Sequence, residues 1–311
     1  MTGYLVDNTG NEYVLPTLFS WAVQRTDGRS SDGFEVKFLY RKNMKEILDN
    51  AVKFYGMYQG KTVFYGIVDE YSLDISAGSV VTVSGRGMAG ALMDNEAEAA
   101  EFYICGFNDI LERCVYPFGV KRVKNSVYMP SLSGFNITTG ESCWSVLKRF
   151  TEKSGGVTPY FDSEGTMILS SKNNSNLKIS KKTGVFDLSY KYCRYGEISK
   201  VVVRTVDGRR VEVANSDFIA VGGNALRVTT ATKDTPRADM VYTGQELIKK
   251  SKMNKKLLTL SLPALFAAQP RDVVSVSLDD MQISGNFIVC EATTWADGSG
   301  SGTKLTMSLE E

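Results

Sequence analysis

The sequence contains two similar hairpin patterns, one near each end of the chain. The first joins VFYGIVDE at residues 63–70 to SVVTVS at residues 79–84, through a turn that contains glycine. The second joins FIVCE at residues 287–291 to TKLTMSL at residues 303–309, through an Asp-Gly-Ser-Gly-Ser-Gly turn. In each pattern the first arm carries Phe and ends in Glu, and the second arm alternates as a half-buried strand does. Two similar β-domains in one chain favour a protein that multiplies symmetry when it oligomerises.

The remaining pattern predicts a β-domain at each end and a different domain between them. Apolar and polar residues alternate at residues 34–40 and again at 186–192, 274–278 and 305–309, which is the period of strands. The middle of the chain predicts helix-then-strand units, and the polar run SKNNSN at residues 171–176 is typical of a loop at a boundary. We therefore expect a mainly β fold with an α+β insert, divided into residues 1–96, 97–180 and 181–311.

Several helix starts are predicted from capping residues. A short helix is expected after Gly87, and Asn108 is a candidate N-cap for a helix that Pro117 would stop. Thr138 and Glu141 have the spacing of a capping box before a helix that closes at a Gly-Gly pair. A further helix is predicted over residues 238–253, with Thr243 to Glu246 as a candidate capping box.

Composition narrows the class of protein. The chain has 311 residues, of which 43% are hydrophobic and 23% are charged, as in globular proteins. The net charge is +1, so the basic excess expected of a nucleic-acid-binding protein is missing, and we expect no specific nucleic-acid binding. No segment reaches 18 consecutive apolar residues, and the start MTGYLVDNTGNEY does not resemble a secretion signal. We expect no membrane segment.

The absence of histidine is the strongest constraint on chemistry. It excludes Ser-His-Asp and Cys-His catalysis and histidine-containing zinc sites, so only carboxylate, Lys, Tyr or Ser-Lys chemistry stays possible. Free buried thiols are the expected state of the widely spaced cysteines, since no CxxC motif occurs. These cysteines are Cys105, Cys114, Cys143, Cys193 and Cys290. We therefore predict no catalytic, cofactor-binding or metal-binding residues, and no cofactor.

Residues Gly85 to Gly90 form a GxGxxG pattern, which in dinucleotide-binding proteins follows a strand and opens a helix. Asp109 lies near the offset of the acid that binds ribose in those proteins. That fingerprint belongs to a parallel α/β unit, whereas the preceding residues predict hairpins and antiparallel strands. We therefore expect these glycines to serve a sharp turn as the chain leaves the first β-domain.

Two other patterns raise enzymatic alternatives. Ser145 to Lys148 matches SxxK and Lys182 to Gly184 matches KTG, as in penicillin-recognising enzymes, but no SxN element stands between them. Acidic neighbours that a carboxylate hydrolase would need occur as Asp69-Glu70, Glu96/Glu98 and Asp279-Asp280. We expect these carboxylates to be solvated surface groups, since the adjacent strand residues Asp69 and Glu70 point to opposite faces and Asp279-Asp280 follow a strand as a turn.

The densest basic run consists of Lys249, Lys250, Lys252, Lys255 and Lys256. At the end of a helix it suits the negative end of the helix dipole. We expect a solvated helix terminus, with contact to an acidic partner surface as the alternative.

The order of these segments resembles a known family. A strand with Phe64, Gly66 and Val68 is followed by a second strand, by Val83-Ser-Gly85-Arg-Gly87 and by a short acidic helix. Near the C-terminus a basic helix, a strand ending in Leu262-Pro263, the segment from Pro270 to Val276 and the Gly285-Asn-Phe287-Ile-Val289 hairpin follow in turn. This order is similar to that of the baseplate hub proteins of contractile phage tails, in the late control protein D-like group.

The resemblance implies an architecture and a role. It implies two tube-like β-barrel domains plus a small helix–strand middle domain, in a homotrimer whose six similar units join a six-fold tail tube to a three-fold central spike. The implied partners are a second copy of the chain, the tail tube protein and the central spike protein, with tape measure and baseplate wedge proteins as further candidates. The implied location is the baseplate of a virion or of a phage-tail-like bacteriocin, assembled from protein made in the bacterial host cytoplasm.

Two other classes stay open from the sequence. One is another tail-end structural protein, such as a distal tail protein or a receptor-side adaptor. The other is an enzyme, either a carboxylate-based cell-wall hydrolase or a nucleotide-dependent protein that uses Gly85 to Gly90.

Overall fold

The structure, a computed structural model, describes residues 1–28, 31–75, 78–170, 173–233, 235–252, 255–263, 265–266 and 268–310, without the side chains of 174–176. Strands dominate both ends of the chain, and helices concentrate in the middle. The N-terminal elements are β1 (Thr2–Asp7), β2 (Glu12–Val14), β3 (Leu18–Thr26), β4 (Gly33–Leu39), α1 (Met44–Asn50), β5 (Ala51–Tyr58), β6 (Lys61–Asp74) and β7 (Val80–Gly87).

The middle elements are α2 (Ala89–Met93), β8 (Ala100–Cys105), α3 (Phe107–Cys114), β9 (Val123–Asn125), β10 (Leu132–Ile137), α4 (Cys143–Gly155), β11 (Tyr160–Phe161) and β12 (Met167–Leu169). The C-terminal elements are β13 (Asn173–Ser180), β14 (Asp187–Tyr192), β15 (Lys200–Thr205), β16 (Arg210–Ala214), α5 (Ser216–Ala220), β17 (Leu226–Ala231), α6 (Arg237–Lys252), β18 (Lys256–Leu262), β19 (Asp272–Leu278), β20 (Ile283–Asp297) and β21 (Gly300–Leu309). The predicted mainly β fold with an α+β insert is confirmed.

The N-terminal β-unit is a sheet with the strand order β3-β4-β7-β6-β5-β1-β2. Alternation in β4 buries Val36 and Phe38 and leaves Glu35 exposed, as predicted for a half-buried strand. Leu5 of β1, next to the edge strand β2, and Trp21 of β3, on the opposite side of the unit, belong to the same apolar cluster. Because strands from both sides of the unit contribute to one core, the sheet curls around that core instead of lying flat.

The C-terminal β-unit has the strand order β14-β18-β21-β20-β19-β13. Its core contains Leu258 and Leu260 of β18, Phe287 of β20 and Ile179 of the outer strand β13. Leu188, on the opposite outer strand β14, packs against the same cluster. This sheet therefore also closes around a single core.

The two β-units repeat one topology. If the short edge strand β2 is left out and the other six strands of each unit are lettered a to f in chain order, both sheets read b-c-f-e-d-a. The hairpin e-f carries a β-bulge at the same place in both, between Val68 and Glu70 in β6 and between Val289 and Glu291 in β20. The pair a-d, at the end of the lettered order, differs, since β1 and β5 run antiparallel whereas β13 and β19 run parallel. The predicted similarity of the two hairpins therefore extends to whole units.

The middle domain packs α3 and α4 around the largest described apolar cluster, which includes Trp144, Leu147 and Phe150 of α4. Both predicted helices exist, but both predicted caps are wrong. Helix α3 is preceded by Gly106, whose N–H donates to Asp109 Oδ2 at 2.7 Å, so Asp109 and not Asn108 satisfies the helix start.

The start of α4 is capped by Ser142, whose hydroxyl accepts from the Ser145 N–H at 3.2 Å. Thr138 and Glu141 instead close a separate turn before the helix, in which the Thr138 N–H donates to Glu141 Oε2 at 2.9 Å. The predicted end of α4 is confirmed, because Gly156 adopts the left-handed conformation with φ +66°.

Two predictions in the C-terminal part need correction. The described residues of the polar run SKNNSN begin strand β13, whose backbone pairs with β19, so that run is not simply a loop; residues 171 and 172 lie outside the described residues. Thr243 lies inside α6, where its hydroxyl donates to the Asp239 carbonyl at 2.8 Å, so it does not cap a helix. The division of the chain into three domains stays a prediction, for which the pairing of β13 favours a boundary near residue 172.

Candidate functional site

The two β-units are joined by a continuous ladder of strand pairing. Glu291 to Ala296 of β20 pair antiparallel with Thr26 to Trp21 of β3. In the lettered order, strand e of the C-terminal unit pairs with strand b of the N-terminal unit. Thirteen strands of the described chain thus form one sheet. This junction fixes the relative orientation of the two units through backbone hydrogen bonds.

Arg271 ties all three parts of the chain together. Its guanidinium donates to the Asp27 carbonyl of the N-terminal unit at 3.0 Å and to the carbonyls of Thr158 and Ser170 in the middle domain. The guanidinium also lies over the ring of Tyr160, 4.6 Å from its centroid. Arg271 is 9% exposed and has φ +70°, a conformation unusual for a residue with a side chain. We name this contact the three-way junction.

A second buried arginine lies beside the three-way junction. Arg25 of β3 donates to the Gln269 side chain and to the Phe161 carbonyl, at 3.4 Å for the latter. The Asp32 carboxylate interacts electrostatically with Arg25 and accepts a hydrogen bond from the Thr26 N–H at 2.7 Å. Burial raises the pKa of Asp32 to about 6, although the charge of Arg25 and the bonds from Thr26 act in the opposite direction.

The space beside Asp32 is too small for a substrate. A cavity of about 10 Å³, lined among others by Thr26, Asp32, Trp144 and Tyr160, has room for roughly one water molecule. The three-way junction is therefore a packed structural contact between domains. Its chemistry fixes geometry and does not present a reactive group to a ligand.

The predicted glycine pattern lies within the first sheet. Gly85 and Gly87 belong to β7, which pairs antiparallel with both β4 and β6. A Cβ on Gly85 would lie 2.0 Å from the Ile67 carbonyl oxygen, so the strands approach too closely there for any side chain. The intervening Arg86 is held by the carboxylates of Asp69 and Asp94, each at 2.7 Å. Gly85 and Gly87 therefore serve strand packing and not the sharp turn that was predicted for them, and their strand neighbours run antiparallel, unlike the parallel α/β unit of a dinucleotide site.

The SxxK and KTG patterns lie on different domains. Ser145 is exposed on α4 of the middle domain, and its hydroxyl lies 3.0 Å from that of Ser142. Lys182 belongs to a single helical turn of the C-terminal unit, Lys181–Thr183. The pair has no shared site in the described structure.

An open cleft of about 560 Å³ on the middle domain gathers several carboxylates. It is lined by Glu96, Glu98, Asp109, Glu112 and Arg113, together with aromatic side chains. Asp109 already accepts from the Gly106 N–H, and Glu98 is 92% exposed and lies 3.6 Å from Arg113. Glu96 and Glu98 are thus acidic neighbours predicted as solvated groups that line a cleft. Among the described residues, no cluster of three or more metal-ligating side chains occurs.

The cysteines behave largely as predicted. Cys105, Cys114, Cys143 and Cys290 are buried free thiols, and Cys193 is partly exposed. Burial raises the pKa of Cys105 to about 11 and that of Cys114 to about 12, so these thiols stay protonated near neutral pH.

The basic run at the end of α6 is used inside the chain. Lys255 lies 3.0 Å from Glu197, a carboxylate that is 1% exposed, and Lys250 lies 3.5 Å from Glu152 of the middle domain. The predicted solvated terminus is therefore wrong for Lys255, whose side chain is 14% exposed. Within the described ranges, α6 and every other helix fall short of the length and hydropathy needed to cross a bilayer.

Comparisons with known proteins agree with this architecture. The chain has the fold of the 43 kDa tail protein of prophage MuSo2 from Shewanella oneidensis, with a TM-score of 0.83, 17% identity and coverage of 99% of this chain and 98% of that one. The tail protein of Neisseria meningitidis MC58 gives a TM-score of 0.82, 16% identity and coverage of 99% and 96%. The fold is therefore that of phage tail proteins.

Residues 89–171 match the family model of the second domain of the gp44-like baseplate hub protein. A type VI secretion component of E. coli, described as structurally similar to the T4 tail proteins gp27 and gp5, gives a TM-score of 0.61 at 9% identity and covers 94% of this chain and 74% of its own. No curated protein matches the sequence. The resemblance to baseplate hub proteins that the sequence indicated is confirmed.

Proposed function

We propose that this chain is the structural hub at the end of a contractile phage-like tail. Three copies form a ring, and each copy contributes two β-units, so the ring presents six similar units toward a six-fold tube. The same ring has only three-fold symmetry toward a central spike. The observation that carries this proposal is the shared strand order b-c-f-e-d-a of the two β-units.

The duplication matters because symmetry mismatch is a geometric problem. A closed ring of three identical chains presents identical surfaces in threes. A repeated unit within each chain doubles that number on one face, while the insertions between repeats keep the threefold character elsewhere. Here the middle domain follows the first unit, and β15 to α6 interrupt the second unit between its strands b and c.

The proposed partners are a second copy of the chain, the tail tube protein and the central spike protein, with tape measure and baseplate wedge proteins at greater distance. The proposed location is the baseplate of a virion or of a phage-tail-like bacteriocin particle, after synthesis in the host cytoplasm. The proposed role needs no catalysis. The buried three-way junction supports this view, since its charged groups are engaged in holding the domains together.

Light scattering of the purified chain tests the proposal. A particle with three times the chain mass of 34.3 kDa is expected, and mixing with the candidate spike should yield one complex with three hub chains. A hexamer would favour another tail-end component, such as a distal tail ring or a receptor-side adaptor. A monomer that degrades cell wall would instead favour the carboxylate hydrolase, for which the cleft at Glu96 and Glu98 is the candidate site.

A further inference from the structure

The repeat of the two β-units creates a second pair of strand edges equivalent to the pair that joins the units. Within the chain, strand e of the C-terminal unit pairs with strand b of the N-terminal unit, which is the β20–β3 ladder. The reverse combination is strand e of the N-terminal unit, β6, with strand b of the C-terminal unit, β14. Among the described strand pairings, β14 pairs with β18 on one side, and the pairing of β6 with β5 ends at Ile67, so Glu70 to Leu73 pair with β7 on one side.

The repeat fixes how the reverse combination would align. The bulges make Glu70 equivalent to Glu291, and pairing through β7 and β4 or through β21 and β18 makes Cys193 equivalent to Thr26. Glu291 lies opposite Thr26 in the β20–β3 ladder. By the same relation Glu70 would lie opposite Cys193, and Ser72 would lie opposite Lys191.

We infer that residues 70–74 of β6 pair antiparallel with residues 189–193 of β14 from a second copy of this chain, in the register that places Glu70 opposite Cys193. This inference rests on the proposed ring, and it names the surface through which one chain contacts the next. Within one chain, six strands of the described sheet lie between β14 and β6, so the contact is assigned to two different copies. The relation is head-to-tail, so each chain offers both edges, and a closed ring leaves neither edge open.

The burial of equivalent positions supports the inference. Val23 of the covered strand β3 is 2% exposed, whereas its equivalent on β14, Tyr190, is 43% exposed. Leu73 on the corresponding edge of β6 is 42% exposed, and Tyr192 is 47% exposed. Exposed apolar side chains on an unpaired strand edge are typical of a strand that pairs with another chain.

Backbone geometry agrees with an open ladder on β14. The Cys193 N–H donates to the Lys255 carbonyl at 2.7 Å, toward the β18 side. Because hydrogen bonds alternate along an antiparallel strand, the N–H groups of Tyr190 and Tyr192 point to the other side, where no described strand lies. The corresponding residues of β3, Val23 and Arg25, are the ones that face β20, as the bond from the Asp27 N–H to the Cys290 carbonyl indicates.

The charges of the two edges are complementary. Opposite Ser72, Lys191 would lie on the same face as Glu70 and Asp74, which flank Ser72 two residues away on each side. Diagonal neighbours of this kind come within reach of a long side chain. One exposed cation therefore faces two carboxylates across the inferred ladder, and a one-residue slip would move it to the opposite face.

Disulfide trapping tests the register with the native cysteine. Directly opposite residues of an antiparallel pair have the Cα separation that a disulfide accepts, whereas residues displaced by two lie too far apart. Glu70→Cys should therefore link to native Cys193 of the next chain under mild oxidation, and the product ladder on a non-reducing gel should end at the size of the closed ring. Ser72→Cys alone should not link to Cys193, but Ser72→Cys with Lys191→Cys should give the same ladder. Adding Cys193→Ser to Glu70→Cys should abolish the product.

The outcomes separate this inference from the proposed function. A trimer by light scattering, with no cross-link from Glu70→Cys or from the Ser72→Cys/Lys191→Cys pair, would overturn the inferred ladder and leave the hub proposal standing. A cross-linked ladder that ends at a size other than three chains would support the ladder and contradict the threefold ring. Stronger linking of Ser72→Cys than of Glu70→Cys to Cys193 would overturn the register. If the chain neither associates nor cross-links, both proposals are overturned.

Discussion

Nζ of Lys255 lies 3.0 Å from Oε1 of Glu197, a carboxylate that is 1% exposed. The same Glu197 oxygen accepts from the Asn215 amide at 3.2 Å. This ion pair anchors the end of the basic run to the body of the C-terminal unit. A buried carboxylate without its cation is costly, so the pair gives a direct test of how the run is used.

Replacing Lys255 by Met should destabilise the fold by about 3 kcal/mol or more, because Glu197 is left as an uncompensated buried charge. Lys252→Met is the matched control from the same run, since Lys252 lies 3.9 Å from the 84% exposed Asp217 and should cost less than about 1 kcal/mol. Urea unfolding followed by circular dichroism measures both. Adding Glu197→Gln to Lys255→Met should recover part of the loss, and equal losses in the two single variants would contradict the assignment.

The three-way junction predicts a large effect at Arg271. Arg271→Ala removes donors from three carbonyls, those of Asp27, Thr158 and Ser170, and should lower the free energy of unfolding by about 3 kcal/mol. Arg122→Ala is the control, because Arg122 also donates to a carbonyl, that of Glu164, but at an exposed position where the loss should stay below about 1 kcal/mol.

Limited proteolysis supplies a second readout for Arg271, because loosened contacts between domains should expose the chain near Ser170 before the β-units unfold. Comparable proteolysis of Arg271→Ala and the unmodified protein, together with unchanged stability, would show that the junction does not hold the domains together.

Asp32 predicts a pH dependence. Its pKa is raised by burial from 3.8 to about 6, so the folded protein binds a proton more tightly than the unfolded chain between these values. Stability from this group is therefore complete below about pH 4 and is lost as the pH rises toward 6, by about 3 kcal/mol in total. Asp32→Asn lacks this titration. As the pH rises from 4 to 6, the free energy of unfolding of the variant should therefore increase relative to that of the unmodified protein. A constant difference across pH 4 to 7 would contradict the raised pKa.

The glycine pattern predicts a stability effect rather than a binding effect. Gly85→Ala should be strongly destabilising, because its Cβ would meet the Ile67 carbonyl oxygen at 2.0 Å. Gly298→Ala should change stability by less than about 1 kcal/mol, since open space surrounds that position. Thermal unfolding measures both variants. A stable Gly85→Ala variant, or unmodified protein whose melting temperature rises with added nucleotide, would revive the nucleotide-binding alternative.

Much of the local structure could be predicted from the sequence. The hairpins at 63–84 and 287–309 follow from period-2 alternation between turn residues, which is a local signal. The caps are less predictable, since several residues near each helix start can accept a hydrogen bond, and α4 is capped by Ser142 whereas Thr138 and Glu141 close a separate turn. Strand β13 was missed because its polar sequence is paired through the backbone, which carries no side-chain pattern.

The functional contacts between domains could not be predicted. Arg271 lies in the segment from Pro270 to Val276 that carried the family resemblance, but its φ of +70° and its carbonyl partners depend on residues more than one hundred positions away. The shared strand order is likewise a property of distant pairings. The hairpins d-e and e-f are local in both units, whereas the pairings a-d and c-f join strands that are distant in the sequence.

Cryo-electron microscopy of the purified assembly, reconstructed without imposed symmetry, tests the central claim most directly. The account predicts a ring of three chains in which N-terminal and C-terminal β-units alternate, so that six similar units stand at one radius and one height. A ring with another number of chains, or two kinds of unit at different radii or heights, would contradict it.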